Sequence, residues 1–109
     1  MSKVPSGSPT PLEEETAEVM ESVSRTLEEW RARIDELKVQ AELAKLEVRE
    51  RAVKQVDLAQ NVCLAAFSKL SDARHDAGAN ADTLRQGFQE LLQDIKKAFE
   101  AAQAVIARG

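Results

Sequence analysis

The sequence predicts an all-α fold, an antiparallel helical hairpin with one overlong, coiled-coil-like helix that dimerises into an elongated bundle. Three observations predict it. Apolar residues recur in steps of three and four from Leu27 to Val48 and again from Leu84 to Ile106, which gives each stretch one apolar stripe when helical. Between Pro11 and Gly78 there is neither proline nor glycine to stop a helix. The composition, 43% hydrophobic and 31% charged and rich in Ala, Glu, Lys, Leu and Arg, is that of long-helix proteins.

Residues 1–9, MSKVPSGSP, are rich in Pro, Ser and Gly and hold too little apolar material to offset the entropy of ordering them, so they are expected to form a disordered tail. The helical hairpin is expected to occupy residues 10–109. Thr10-Pro11-Leu12-Glu13 combines a hydroxyl cap, a proline at the first helical position and a glutamate placed to reach back to the cap. Glu13, Glu14 and Glu15 then complement the positive end of the helix dipole.

From that start the pattern predicts one long helix over about 11–76, roughly 95 Å long at 1.5 Å per residue. Its stripe runs Leu27, Trp30, Ile34, Leu37, Ala41, Ala44 and Val48 on near-heptad spacing. Beyond Val48 the heptad register shifts, because Ala52, Val56, Ala59, Cys63, Phe67 and Leu70 carry the stripe onward. Such a shift resembles a stutter, where the supercoil changes and one packing partner gives way to another.

A loop is predicted over 77–82, where Gly78 can end a helix in the left-handed conformation and Asn80 or Asp82 can cap the next. The second helix, about 83–108 and roughly 39 Å long, carries Leu84, Phe88, Leu91, Ile95, Ala102 and Val105 on its seam. Folding the chain back about Ala79 pairs residues whose numbers sum to about 158. Phe88 then meets Leu70, Leu91 meets Phe67, Ile95 meets Cys63, Ala102 meets Val56 and Val105 meets Val53, apolar against apolar at each step. These residues form the expected intrachain core. Gly87 costs about 1 kcal/mol relative to alanine in a helix interior, and either lets the helices approach closely or reflects drift at an exposed site.

The second helix ends opposite about residue 50, which leaves the stripe from Leu27 to Val48 without cover. Large apolar side chains gain about 1.5–3 kcal/mol each on burial, so a partner is expected there. A second copy is the simplest one. In an antiparallel homodimer the long helices cross near residues 41–46, with Ala41 and Ala44 near the two-fold axis. Leu27, Trp30, Ile34, Leu37, Ala41, Ala44 and Val48 then make the intermolecular interface. Charge favours this arrangement weakly: residues 13–29 carry seven glutamates against Arg25 alone, and they would lie near Lys69 and Arg74 of the other copy.

Composition narrows the function classes. A net charge of -4 removes the general attraction toward nucleic acid and anionic lipid. The N-terminus lacks the apolar stretch of a signal peptide, and charges interrupt every apolar run, so neither export nor membrane spanning is expected. The single Cys63 allows no internal disulfide and reads as a buried, reduced thiol in a cytoplasmic protein. His75, the one histidine, has no second His or Cys nearby and reads as a polar group at a helix end. Glu13, Glu14, Glu15 and Glu18 read as surface groups rather than an ion site. No phosphate-binding glycine loop, nucleophile motif or paired-cysteine spacing occurs. No catalytic, cofactor-binding or metal-ligating residue is therefore assigned.

The expected role is that of a non-enzymatic scaffold or adaptor that acts by homo-oligomerisation and helix-mediated protein binding. Trp30 is the residue most open to such a role, as dimer core or as an anchor for another helical protein. Two alternatives use the same stripes. In one the helices open and coat a lipid or polymer surface, in the manner of apolipoprotein-like or phasin-like helices. In the other the Leu27–Leu37 stripe sequesters a partner helix in a four-helix arrangement.

Overall fold

The computed structural model describes residues 11–76 and 78–108, with side chains from residue 14 onward. The expected tail over 1–9, the Thr10 cap and the Glu13 side chain lie outside them. Among the described residues there are three helices and no strand: α1 (Pro11–Glu42), α2 (Leu46–Arg74) and α3 (Ala81–Arg108).

The single helix expected over 11–76 is therefore two helices, and this corrects the sequence reading. The chain turns at Leu43-Ala44-Lys45, where Lys45 takes an extended conformation (φ -58°, ψ 145°) with no side chain capping α2. Arg49 seals the turn by donating from Nε and Nη2 to the Ala44 carbonyl, at 3.2 and 3.0 Å. The turn lets α1 fold back on the rest of the chain and bury Val19, Val23, Leu27, Ile34, Leu37 and Ala41. Magnitudes show why the break wins. The few helical hydrogen bonds given up are worth about 0.5–1.5 kcal/mol each, whereas each large side chain buried is worth about 1.5–3 kcal/mol.

Cross-helix contacts fix the helix directions. Cys63 Sγ lies 3.9 Å from the Leu27 carbonyl oxygen, Arg85 pairs with Glu15 at 3.1 Å, and Trp30 packs on Phe99. Hence α1 and α3 run parallel, and α2 runs antiparallel to both. On α2 the buried residues are Ala52, Val56, Ala59, Cys63, Ala66, Leu70 and Ala73. Their alternating steps of four and three leave a seam made largely of small side chains. On α3 they are Ala81, Leu84, Phe88, Ile95, Phe99, Ala102 and Val105. All belong to one core, which contains no buried polar or charged side chain among the described residues.

The second turn is built by local chemistry. His75 closes α2 with its N–H on the Asp72 carbonyl, at 3.1 Å. Asp76 Oδ1 accepts from the Gly78 N–H at 2.8 Å. Gly78 does not enter the left-handed region, so the carboxylate of Asp76 makes the turn in place of glycine's conformational freedom. Asn80 Oδ1 accepts from the Thr83 N–H at 2.9 Å, which caps α3 and starts it two residues before the expected Thr83. No helix among the described residues is long and apolar enough to cross a membrane.

Candidate protein-interaction groove

The residues expected to form an intermolecular interface lie in or against the core of the single chain. Leu27, Ile34, Leu37 and Ala41 are buried, Trp30 and Val48 are half-buried against the core, and Ala44 is half-buried at the turn. The overhang that called for a second copy is covered by α2 and α3, because α1 folds back where the sequence suggested a straight continuation. Of the residues expected in the hairpin core, Val56, Cys63, Leu70, Leu84, Phe88, Ile95, Ala102 and Val105 are buried. Val53, Phe67 and Leu91 are half-buried and pack against them.

Trp30 sits where α1 meets α3. Its ring stands edge-on to Phe99, with centroids 5.3 Å apart and planes at 73°. The Arg33 guanidinium lies 4.7 Å from the Trp30 centroid and 5.3 Å from that of Phe99. From Trp30 toward the start of α1, the two parallel helices leave a groove of about 550 Å³ between them. Val19, Val23, Trp30, Phe88 and Leu92 make its apolar lining. Glu18 and Ser22 on one side, and Arg85, Gln89, Gln93 and Lys96 on the other, make a polar rim. At the start of the groove Arg85 is held by Glu15 at 3.1 Å and by Asp82 at 3.3 Å. Lys96, farther along, is in no ion pair with the described residues.

Sequence reasoning found Trp30 but missed Val19, Val23 and Leu92 as its neighbours. The signal was present in part. Val19, Val23 and Leu27 are four residues apart and extend the stripe toward the N-terminus. Leu92 follows Leu91 at the edge of the α3 seam, and its place in a groove depends on the parallel α1–α3 packing, which local spacing does not encode.

The polar residues singled out earlier are scattered. Cys63 is buried, and burial pushes its thiol pKa up, with Arg31 opposing the rise and Asp35 and Glu28 adding to it. His75 is exposed beyond the end of α2. The described residues hold no cluster of three His, Cys, Asp or Glu side chains that could bind a metal ion. Comparison with known protein families, curated proteins and solved structures gives no match.

Proposed function

We propose that this protein is a non-catalytic interaction module that takes an amphipathic helix of another protein into the α1–α3 groove, completing a four-helix arrangement. The groove carries the proposal. It is long, lies between two parallel helices, has an apolar lining that includes half-buried Trp30 and Leu92, and is edged by polar groups. A helix with aliphatic or aromatic side chains at positions i, i+3, i+4 and i+7 fits such a surface. Lys96 favours a carboxylate beside that apolar face. Trp30, backed by Phe99, supplies the rigid aromatic anchor that binding hot spots favour.

The coat alternative gains no support from the fold. It requires all three helices to open and to expose Leu27, Ile34, Phe88 and Ile95, each at most 1% accessible in the bundle.

A photo-crosslinking residue in place of exposed Gln89 tests the helix-binding reading in cells. The expected product is a cross-link to an amphipathic helical segment. A synthetic peptide of that segment then shifts Trp30 fluorescence in the wild type and binds at least tenfold more weakly to Leu92→Lys, a loss of about 1.4 kcal/mol. Cross-links to unrelated surfaces, or a peptide insensitive to Leu92→Lys, defeat the proposal.

A further inference from the structure

The two turns of the bundle are built differently. The α2–α3 turn has the Asp76 carboxylate and the Asn80 cap. The α1–α2 turn has only the exposed Arg49 side chain on the Ala44 carbonyl, a contact that follows from the reversal and does not disfavour a helix there. Glu42-Leu43-Ala44-Lys45-Leu46-Glu47 contains only strong helix formers, without glycine, proline or a capping side chain. Packing imposes this break against the preference of its own residues, and such conflict marks a hinge.

Two relations show what the hinge opens into. At 100° per residue, the buried positions of α1, from Val19 to Ala41, and those of α2, from Ala52 to Ala73, fall within one sector of about 100°. The two helices are therefore in phase, as though residues 42–46 continued the helix between them. Second, the Leu27–Cys63 contact at 3.9 Å sets a register in which facing residue numbers sum to 90. The midpoint of that register is residue 45, inside the break.

We infer that two copies of this chain exchange α1, with residues 11–74 straightening into one helix and the two helices crossing antiparallel about a two-fold axis at residue 45. Each α1 then occupies the α2–α3 surface of the other copy and makes the contacts it makes in the closed chain. The straightened hinge also regains the helical hydrogen bonds given up at the turn. Ala41 lies on the seam beside the axis, and Lys45 meets the other copy's Lys45 at the axis itself, beyond the end of α3, where both ammonium groups reach water. A short connection held against its helical preference is the setting in which such exchange arises. The inference stands apart from the helix-binding proposal, because α1 and α3 enclose the same groove in either form.

Light-scattering mass of the full chain, refolded at submillimolar concentration, tests it beside Leu46→Pro. Proline suits the first position of α2, and the extended Lys45 before it (ψ 145°) is the conformation that a residue preceding proline adopts. In a continuous helix the same proline clashes with the Glu42 carbonyl. The wild type is expected at twice 12.0 kDa and Leu46→Pro at 12.0 kDa with undiminished helical circular dichroism. A wild type found only at 12.0 kDa, or a Leu46→Pro variant that stays dimeric, overturns the inference. If Leu46→Pro loses its helical signal, a Gly-Ser-Gly insertion between Ala44 and Lys45 replaces it. A monomeric insertion variant then supports the exchange, and a dimeric one refutes it.

Discussion

Trp30 stands edge-on to Phe99, and the Arg33 guanidinium lies against both rings, so one aromatic pair and one cation tie the middle of α1 to α3. Phe99 is buried and Trp30 half-buried, which places the pair at the boundary between the core and the groove. An edge-on aromatic pair contributes about 0.5–1.5 kcal/mol beyond its buried area. A guanidinium at an exposed ring face adds about 0.5–1 kcal/mol.

Replacement of Phe99 by alanine is therefore expected to destabilise the fold by about 3–5 kcal/mol, the range for a large aromatic removed from a core. The sequence has a single tryptophan, so fluorescence reports this site alone. Urea unfolding followed by Trp30 emission should show the loss in the midpoint and a red-shifted native spectrum. A cost below about 1 kcal/mol would mean that Phe99 is not part of the core.

How far the sequence revealed this can be judged from the stripes. The seam of α3 and the residues of α2 that face it were legible because each alternates steps of three and four around large side chains such as Phe88, Ile95 and Leu70. Lys69 places its Nζ 2.8 Å from the site of a Cβ on Gly87 and 5.8 Å from the Phe88 ring centroid, numbers that sum to 156 and 157 beside the expected 158. The turn at Leu43-Ala44-Lys45 was not legible as a turn, because nothing in it disfavours a helix. Its trace was the change of heptad register beyond Val48, which falls next to the place where the chain reverses. The groove was legible only through Trp30. Its other walls come from long-range α1–α3 packing, which local spacing does not encode.

Burial, not hydrophobicity, should separate the leucines of α1 and its turn. Leu27 is fully buried, whereas Leu43 is 80% exposed. Leu27→Ala is expected to cost about 2–5 kcal/mol, and Leu43→Ala to stay within about 0.5 kcal/mol of wild type. Chemical denaturation of the two variants makes the comparison. Equal losses would show that α1 does not pack as described.

The start of α3 offers opposite tests at two nearby positions. Asn80→Ala removes the acceptor of the Thr83 N–H and should cost about 1 kcal/mol. Gly87→Ala should stabilise by up to about 1 kcal/mol, since alanine is the better helix residue and the chain has less backbone entropy to lose. The new methyl group meets Lys69 Nζ at 2.8 Å and Cε at 3.3 Å, the far end of a flexible side chain that can swing into solvent. A destabilised Gly87→Ala would mean that the two helices cannot yield at this crossing.

Cys63 gives the bundle a pH dependence whose sign follows from its place between α1 and α2. Cys63 is 3% exposed, and burial raises its thiol pKa above the ordinary 9.0, against the opposing effect of Arg31 and with that of Asp35 and Glu28. Well below 9.0 the thiol is protonated in folded and unfolded chains alike and contributes no slope. Above it the unfolded chain releases the proton first, so the folded state binds more protons and stability falls as pH rises, until the folded thiol ionises as well. The slope from this one group is at most about 1.4 kcal/mol per pH unit. Urea midpoints measured from neutral to alkaline pH should therefore fall more steeply for wild type than for Cys63→Ala, which lacks the thiol. Attack by an aromatic disulfide reagent should likewise be slow in the folded state and accelerate with urea, as separation of α1 from α2 uncovers the sulfur. Parallel pH profiles for the two proteins, together with rapid thiol reaction without urea, would mean that Cys63 faces water and that α1 does not close over α2 in solution.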